Sequence, residues 1–193
     1  QARQAGATAS STRSSDLMLQ HTYALLIILM AASALVPESI GVVGVGTISS
    51  AAVRGLCRSS NAQFVLSPRN AAKAKALEQE FESVRIATDN QAVVDACDCV
   101  LLAVLPGQAE QVCEPLQFRQ GQLVISLMAG VPLSDIQKWC GPAECALACP
   151  LPAIAENAGT TIVTPPEPRT VAIFQKLGTA VPVQTEAQFK RLQ

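Results

Sequence analysis

From Ser39 onward the chain alternates short, wholly apolar stretches with longer ones in which apolar residues recur three and four positions apart. The first kind reads as strands buried on both faces, the second as amphipathic helices. Strands are expected at residues 40–45, 64–66, 84–87, 99–104, 122–127 and 145–149, with two more at 160–163 and 180–183. Helices are expected at 49–58, 70–81, 108–116, 133–139 and 168–177, with Asn70 as an N-cap. A short helix runs to Cys97, with Asn90 read as its cap. Strand–helix alternation at this pitch specifies an α/β fold, with a doubly wound, mainly parallel sheet and helices on both faces.

Between the first strand and the first helix stands Gly44-Val45-Gly46-Thr47-Ile48-Ser49. In this context a G-x-G turn is the phosphate-binding element of a Rossmann-type dinucleotide fold. Gly44 permits the tight turn, and Gly46 lets a pyrophosphate approach the backbone. The helix start then offers free N–H groups. Ser49 takes the third position in place of glycine, still small enough for close helix–strand packing.

The second strand ends in Leu66-Ser67-Pro68-Arg69-Asn70, where an NAD-binding form places a carboxylate for the ribose 2′-hydroxyl. No Asp or Glu occurs from Ser39 to Leu77, whereas Arg54, Arg58, Arg69, Lys73 and Lys75 do. Ser67 and Asn70 can hydrogen-bond a 2′-phosphate, and Arg69 can add a charge-assisted pair. The cofactor expected is NADPH.

Composition narrows the classes. The chain has 193 residues, 49% of them apolar and 15% charged, which fits one globular domain with a tail. A net charge of -1 and 4% aromatics supply neither a basic field nor a stacking platform, so no nucleic-acid partner is expected. No membrane partner is expected for the folded domain. Cys57, Cys97, Cys99, Cys113, Cys140, Cys145 and Cys149 show no metal-ligand spacing and read as free thiols in a reducing compartment, so no metal is expected. The one histidine, His21, precedes the domain, which excludes a His-based triad or zinc site within it. No side chain nominates itself as a catalytic acid or base.

Residues 1–38 form an N-terminal extension. Arg3 and Arg13 precede an apolar run over residues 23–36 that is short for a membrane span, and Ala32-Ser33-Ala34 follows the pattern of a signal cleavage site. Met30 alternatively opens a natural start, making residues 1–29 a gene-model artefact. Both readings stay open. The location expected is cytoplasmic, with organelle targeting through residues 1–38 as the alternative.

The order of segments resembles the N-terminal domain of pyrroline-5-carboxylate reductases. The matching pieces are Ile40-Gly-Val-Val-Gly-Val-Gly-Thr-Ile48, Ser67-Pro68, Thr88-Asp-Asn90, Leu102-Ala-Val-Leu-Pro106 and Val124-Ile-Ser-Leu-Met-Ala-Gly-Val131. The resemblance implies that Val43, Gly44, Val45, Gly46, Thr47 and Ile48 hold the pyrophosphate, that Ser67 meets the adenosine-side phosphate, and that Asn90 contacts the cofactor. It implies a nicotinamide end lined by Ala103, Val104, Leu105, Pro106, Leu127, Met128 and Ala129.

The sequence departs from that family where Leu105 replaces Lys or a similar polar residue and where Leu151 replaces an asparagine. A cofactor domain at 39–185 is expected, with residues 186–193 starting a helix that leads toward the family's helical domain. That domain dimerises family members, so a homo-oligomer is expected only where it is present. The function implied is NADPH-dependent reduction of a small-molecule imine, 1-pyrroline-5-carboxylate, to L-proline. Two alternatives stand beside it: a non-catalytic or fragmentary cofactor-binding module, and a reductase of another substrate that uses a partner domain. Glu156 and Asn157, after a proline-rich turn, are read as a solvated loop or as substrate contacts, and Trp139 as helix packing.

Overall fold

A computed structural model describes residues 35–193, so the readings on residues 1–34, His21 included, fall outside the described part. The strands are β1 Ser39–Val43, β2 Gln63–Leu66, β3 Val84–Ile86, β4 Cys99–Leu102, β5 Leu123–Ser126, β6 Glu144–Cys149, β7 Thr160–Thr164 and β8 Thr179–Pro182. The helices are α1 Thr47–Ser59, α2 Ala71–Glu80, α3 Asn90–Asp95, α4 Ala109–Cys113, α5 Leu133–Cys140, α6 Pro168–Gln175 and α7 Glu186–Leu192. Two 3-10 turns, Pro106–Gln108 and Pro152–Glu156, follow β4 and β6.

All eight strands join one sheet in the order β3-β2-β1-β4-β5-β6-β7-β8. Every pairing is parallel except β6 with β7. The fold is thus the mainly parallel, Rossmann-type α/β architecture expected. The chain winds outward from β1 to β3, then returns to the other side of β1 to lay down β4. That reversal opens a crevice beyond the carboxyl ends of β1 and β4.

Side-chain alternation along each strand divides the core into two layers. Ile40 and Val42 pack with Ala52 and Leu56 of α1, Leu77 of α2, and Ile173 and Phe174 of α6. Val43 and Val100 pack on the opposite face with Val93 and Val94 of α3, Cys113 of α4, Ile136 of α5 and Phe189 of α7. Strands covered on both faces must be apolar throughout, which is why β4 and β5 read as unbroken hydrophobic runs. Residues 36–193 form one compact unit.

Local departures from the sequence reading have physical causes. Asp89, not Asn90, caps α3: its Oδ1 accepts the Ala92 N–H at 2.8 Å, and Asn90 is the first helical residue. Both residue types cap well, so propensity alone could not choose between them. The helix expected at 108–116 is a 3-10 turn followed by the short α4. Pro115 lacks an N–H and ends it.

All seven cysteines are free, five buried and two half-buried, and burial pushes the Cys97 and Cys145 thiols up to about 11. Trp139 packs partly buried against the second core layer, as expected of it. Among the described residues no helix is long and apolar enough to cross a membrane.

Candidate functional site

The turn after β1 is held by side chains from three segments. Gly44 has φ +96°, and a Cβ there would stand 2.6 Å from the Ala103 carbonyl oxygen, so only glycine fits. Its N–H donates to Ser67 Oγ at 3.0 Å, tying the turn to the end of β2. Ser49 Oγ donates to the Gly44 carbonyl and accepts the Gly46 N–H, both at 2.8 Å. Asn70 caps α2 through its Oδ1 and donates from Nδ2 to the Val45 carbonyl at 3.0 Å. The serine in the third motif position therefore stitches the turn together, a role that small size alone did not announce.

What this stitching leaves open is informative. The N–H groups of Val45, Thr47 and Ile48 have no protein partner among the described residues. They lie at and just before the start of α1, where the positive end of a 13-residue helix adds to them. Gly46 has an ordinary backbone conformation, φ -101°, and a Cβ there would come no nearer than 4.0 Å to any protein atom. The fold does not require glycine at 46, and the space beside it is open.

That space is a cleft of about 430 Å³ lined by Gly44, Val45, Gly46, Arg69, Asn70, Ala71, Ala103, Val104, Leu105 and Gln108. It lies at the β1/β4 switch, across the carboxyl ends of β1, β2 and β4. Arg69 is the one ionised side chain of its lining, and no carboxylate lines it. Beside it, a smaller groove of about 230 Å³ between α1 and α2 is lined by Thr47, Ser50, Arg54, Lys73 and Ala76. Lys73 Nζ stands 3.4 Å from Thr47 Oγ1 there, and Arg54 is paired with Glu80 at 2.8 Å.

Eight of the residues singled out from the sequence therefore meet in one cleft: Gly44, Val45, Gly46, Arg69, Asn70, Ala103, Val104 and Leu105. The others are placed around it. Val43 is buried in β1, and Thr47 and Ile48 open α1. Ser67 is 1% exposed, with its hydroxyl turned to Gly44. Pro106 is exposed at the start of its 3-10 turn. Leu127 and Met128 pack inward onto the two core layers, leaving Ala129 exposed. Asn90 is half-buried at the start of α3 and does not line the cleft.

Ala71 and Gln108 line the cleft and were missed. Both follow a strand end by a few residues, the position that would have marked them. Glu156 and Asn157 lie away from the cleft. Glu156 pairs with Arg58 at 3.2 Å, near the far end of α1. Asn157, in the left-handed region at φ 53°, donates to the Gly55 and Lys176 carbonyls and so braces the fold.

A mainly parallel, doubly wound sheet with a glycine turn at its switch point defines a Rossmann-type α/β protein. Residues 39–130 match the family model described as "NADP oxidoreductase coenzyme F420-dependent". The chain is similar to the pyrroline-5-carboxylate reductase of Methanosarcina acetivorans, 31% identical over 108 residues, covering 52% of this chain and 38% of that protein. It is similar also to that of Pseudomonas aeruginosa, 28% identical over 114 residues, covering 57% and 41%. In structure it resembles the pyrroline-5-carboxylate reductase of Coxiella burnetii, with a TM-score of 0.70 and 26% identity over 81% of this chain and 62% of that one. The resemblance read from the sequence is thus borne out. The chain spans about two fifths of the length of the curated relatives it matches.

Proposed function

We propose that the cleft binds NADPH and presents it to a carbon–nitrogen double bond, as in the reduction of 1-pyrroline-5-carboxylate to L-proline by the reductases this chain is similar to. The observation that carries the proposal is Gly46. Its backbone angles suit any residue and its missing side chain would touch no protein atom, so a bound group accounts for the glycine better than the fold does. In this reading the N–H groups of Val45, Thr47 and Ile48 hold the pyrophosphate, on a turn fixed at its base by Val43 and Gly44. Arg69 supplies the charge opposite a 2′-phosphate, with Ser67 and Asn70 framing the same corner. Asn90, outside the lining of the cleft, is the further cofactor contact that the resemblance implies. Ala103, Val104, Leu105 and Pro106, with Ala129 above Leu127 and Met128, shape the nicotinamide end.

When bound, NADPH would supply the hydride that the imine carbon takes up, and the imine nitrogen would take one proton. The cleft lining holds no carboxylic acid, histidine or lysine to give that proton, which leaves solvent, the substrate or a further domain as its source. The same absence supports a second reading, a cofactor-binding unit that works with a further domain or partner chain. Fluorescence titration of the chain with NADPH and NADH tests the cofactor assignment. Saturable binding with a clear preference for NADPH is expected, and comparable affinity for the two would contradict the role given to Arg69.

A further inference from the structure

The lining of the cleft comes from the glycine turn, the segment after β2 and the segment after β4, and takes nothing from residues 127–129 after β5. β2 and β4 flank β1 in the sheet, so their two segments stand on either side of the turn, on strands about 10 Å apart at the usual spacing. A planar ring needs about 3.5 Å on each face, which suits a gap of this width. The end of β2 is where a Rossmann fold meets the adenosine ribose. On the NADPH reading, the walls that carry Arg69 and Gln108 thus enclose the adenosine half of the cofactor.

The polar side chains of the lining differ in what they have left to bind. Asn70 is spent, since its Oδ1 accepts the Lys73 N–H at 3.4 Å and its Nδ2 donates to the Val45 carbonyl. Arg69 is assigned to the 2′-phosphate. Gln108 remains. It stands at the N-cap of α4, yet its amide does not cap the helix and bonds no other described residue. Glutamine is not among the preferred capping residues, so the helix gives no reason for it. The half-buried side chain is nonetheless held in place from behind. Pro106 opens the 3-10 turn, the Gln108 N–H donates to the Leu105 carbonyl at 2.8 Å, and Ala109 beside it is buried in the second core layer. A ligand with a matching donor and acceptor would satisfy an amide that the protein leaves unpaired.

Adenine is such a ligand. On either hydrogen-bonding edge its amino hydrogens stand beside a ring-nitrogen acceptor, and a primary amide presents the complementary pair. The nicotinamide carboxamide offers similar groups, but on the same reading it lies toward residues 127–129, outside this lining. Resting on the NADPH assignment, we propose that Gln108 reads the adenine base through paired hydrogen bonds, so that the cleft selects an adenine nucleotide by its base as well as by its phosphates.

Calorimetric titration of the full chain with NADP+ and with its 1,N6-ethenoadenine analogue tests this. The etheno bridge removes the amino hydrogens and leaves phosphates, riboses and nicotinamide unchanged. The parent chain is expected to bind NADP+ about tenfold more tightly than the analogue, the worth of one paired amide contact. Gln108→Leu keeps the bulk of the side chain and breaks no hydrogen bond within the protein, so its thermal unfolding should match the parent's. It is expected to weaken NADP+ about tenfold and to leave the analogue near its parent affinity, erasing the preference. Equal affinity of the parent chain for the two ligands overturns the proposal without any variant. A preference that survives in Gln108→Leu also overturns it, because a steric clash with the bridge, or a Gln108 contact elsewhere on the cofactor, would give that result. In both cases the cofactor assignment stands. Failure of NADP+ and NADPH to bind at all would remove both readings together.

Discussion

The two ends of the cleft are built on opposite plans. At the glycine turn, Ser49, Ser67 and Asn70 fasten the Gly44 and Gly46 amides and the Gly44 and Val45 carbonyls, and the Val45, Thr47 and Ile48 amides are left over. At the β4–β6 end there are exposed leucines, inward-packed Leu127 and Met128, and few polar side chains. A diphosphate has fixed geometry and charge, so its site must be preorganised with donors. The reacting end needs shape and the exclusion of water, which apolar side chains supply without hydrogen bonds. The first end is therefore rigid and chemically explicit, the second permissive.

Substitutions at the turn test how far this contrast goes. The largest effect is expected from Gly44→Ala, since the positive φ and the Ala103 carbonyl both oppose a Cβ. A loss of stability of at least about 3 kcal/mol is expected by chemical denaturation. Gly46→Ala is the complementary change, with unaltered thermal unfolding but NADPH affinity lower by about a hundredfold, about 2.8 kcal/mol. Equal loss of fold and affinity at both glycines would erase the distinction between structural and ligand-facing positions.

Arg69→Ala should weaken NADPH about tenfold, the worth of one exposed charge-assisted contact, and leave NADH unchanged in parallel titrations. Ser49→Ala removes the hydroxyl that bridges Gly44 and Gly46. It should cost about 1 kcal/mol, a shift in melting temperature of about 3 °C.

Much of the explicit end was legible in the chain. Gly44 and Gly46 between an apolar strand and a helix, and the acid-free stretch through Arg69, stand close together in sequence, and their chemistry is local. Asn70 was legible as a cap because capping depends on a few neighbouring residues, but its reach to the Val45 carbonyl depends on how β1 and β2 pair. Ser49 as a bridge was hidden for the same reason, since it acts through backbone angles that sequence does not state.

The permissive end was less readable. Leu127 and Met128 follow a strand, as pocket-lining residues do, but their side chains turn into the core. Gln108 faces the cleft only because the expected helix opens as a 3-10 turn from Pro106. The reversal of β7 against β6 could not be read from an apolar run alone, because periodicity carries no strand direction.

Amide NMR of the labelled chain during titration with NADPH addresses the central claim most directly. The largest shifts are predicted at the Val45, Thr47 and Ile48 N–H groups, with saturation, and much smaller ones at the amides of Ile173 and Phe174, buried in α6 and outside the cleft lining. Shifts concentrated elsewhere, or a turn indifferent to saturating cofactor, would contradict the account.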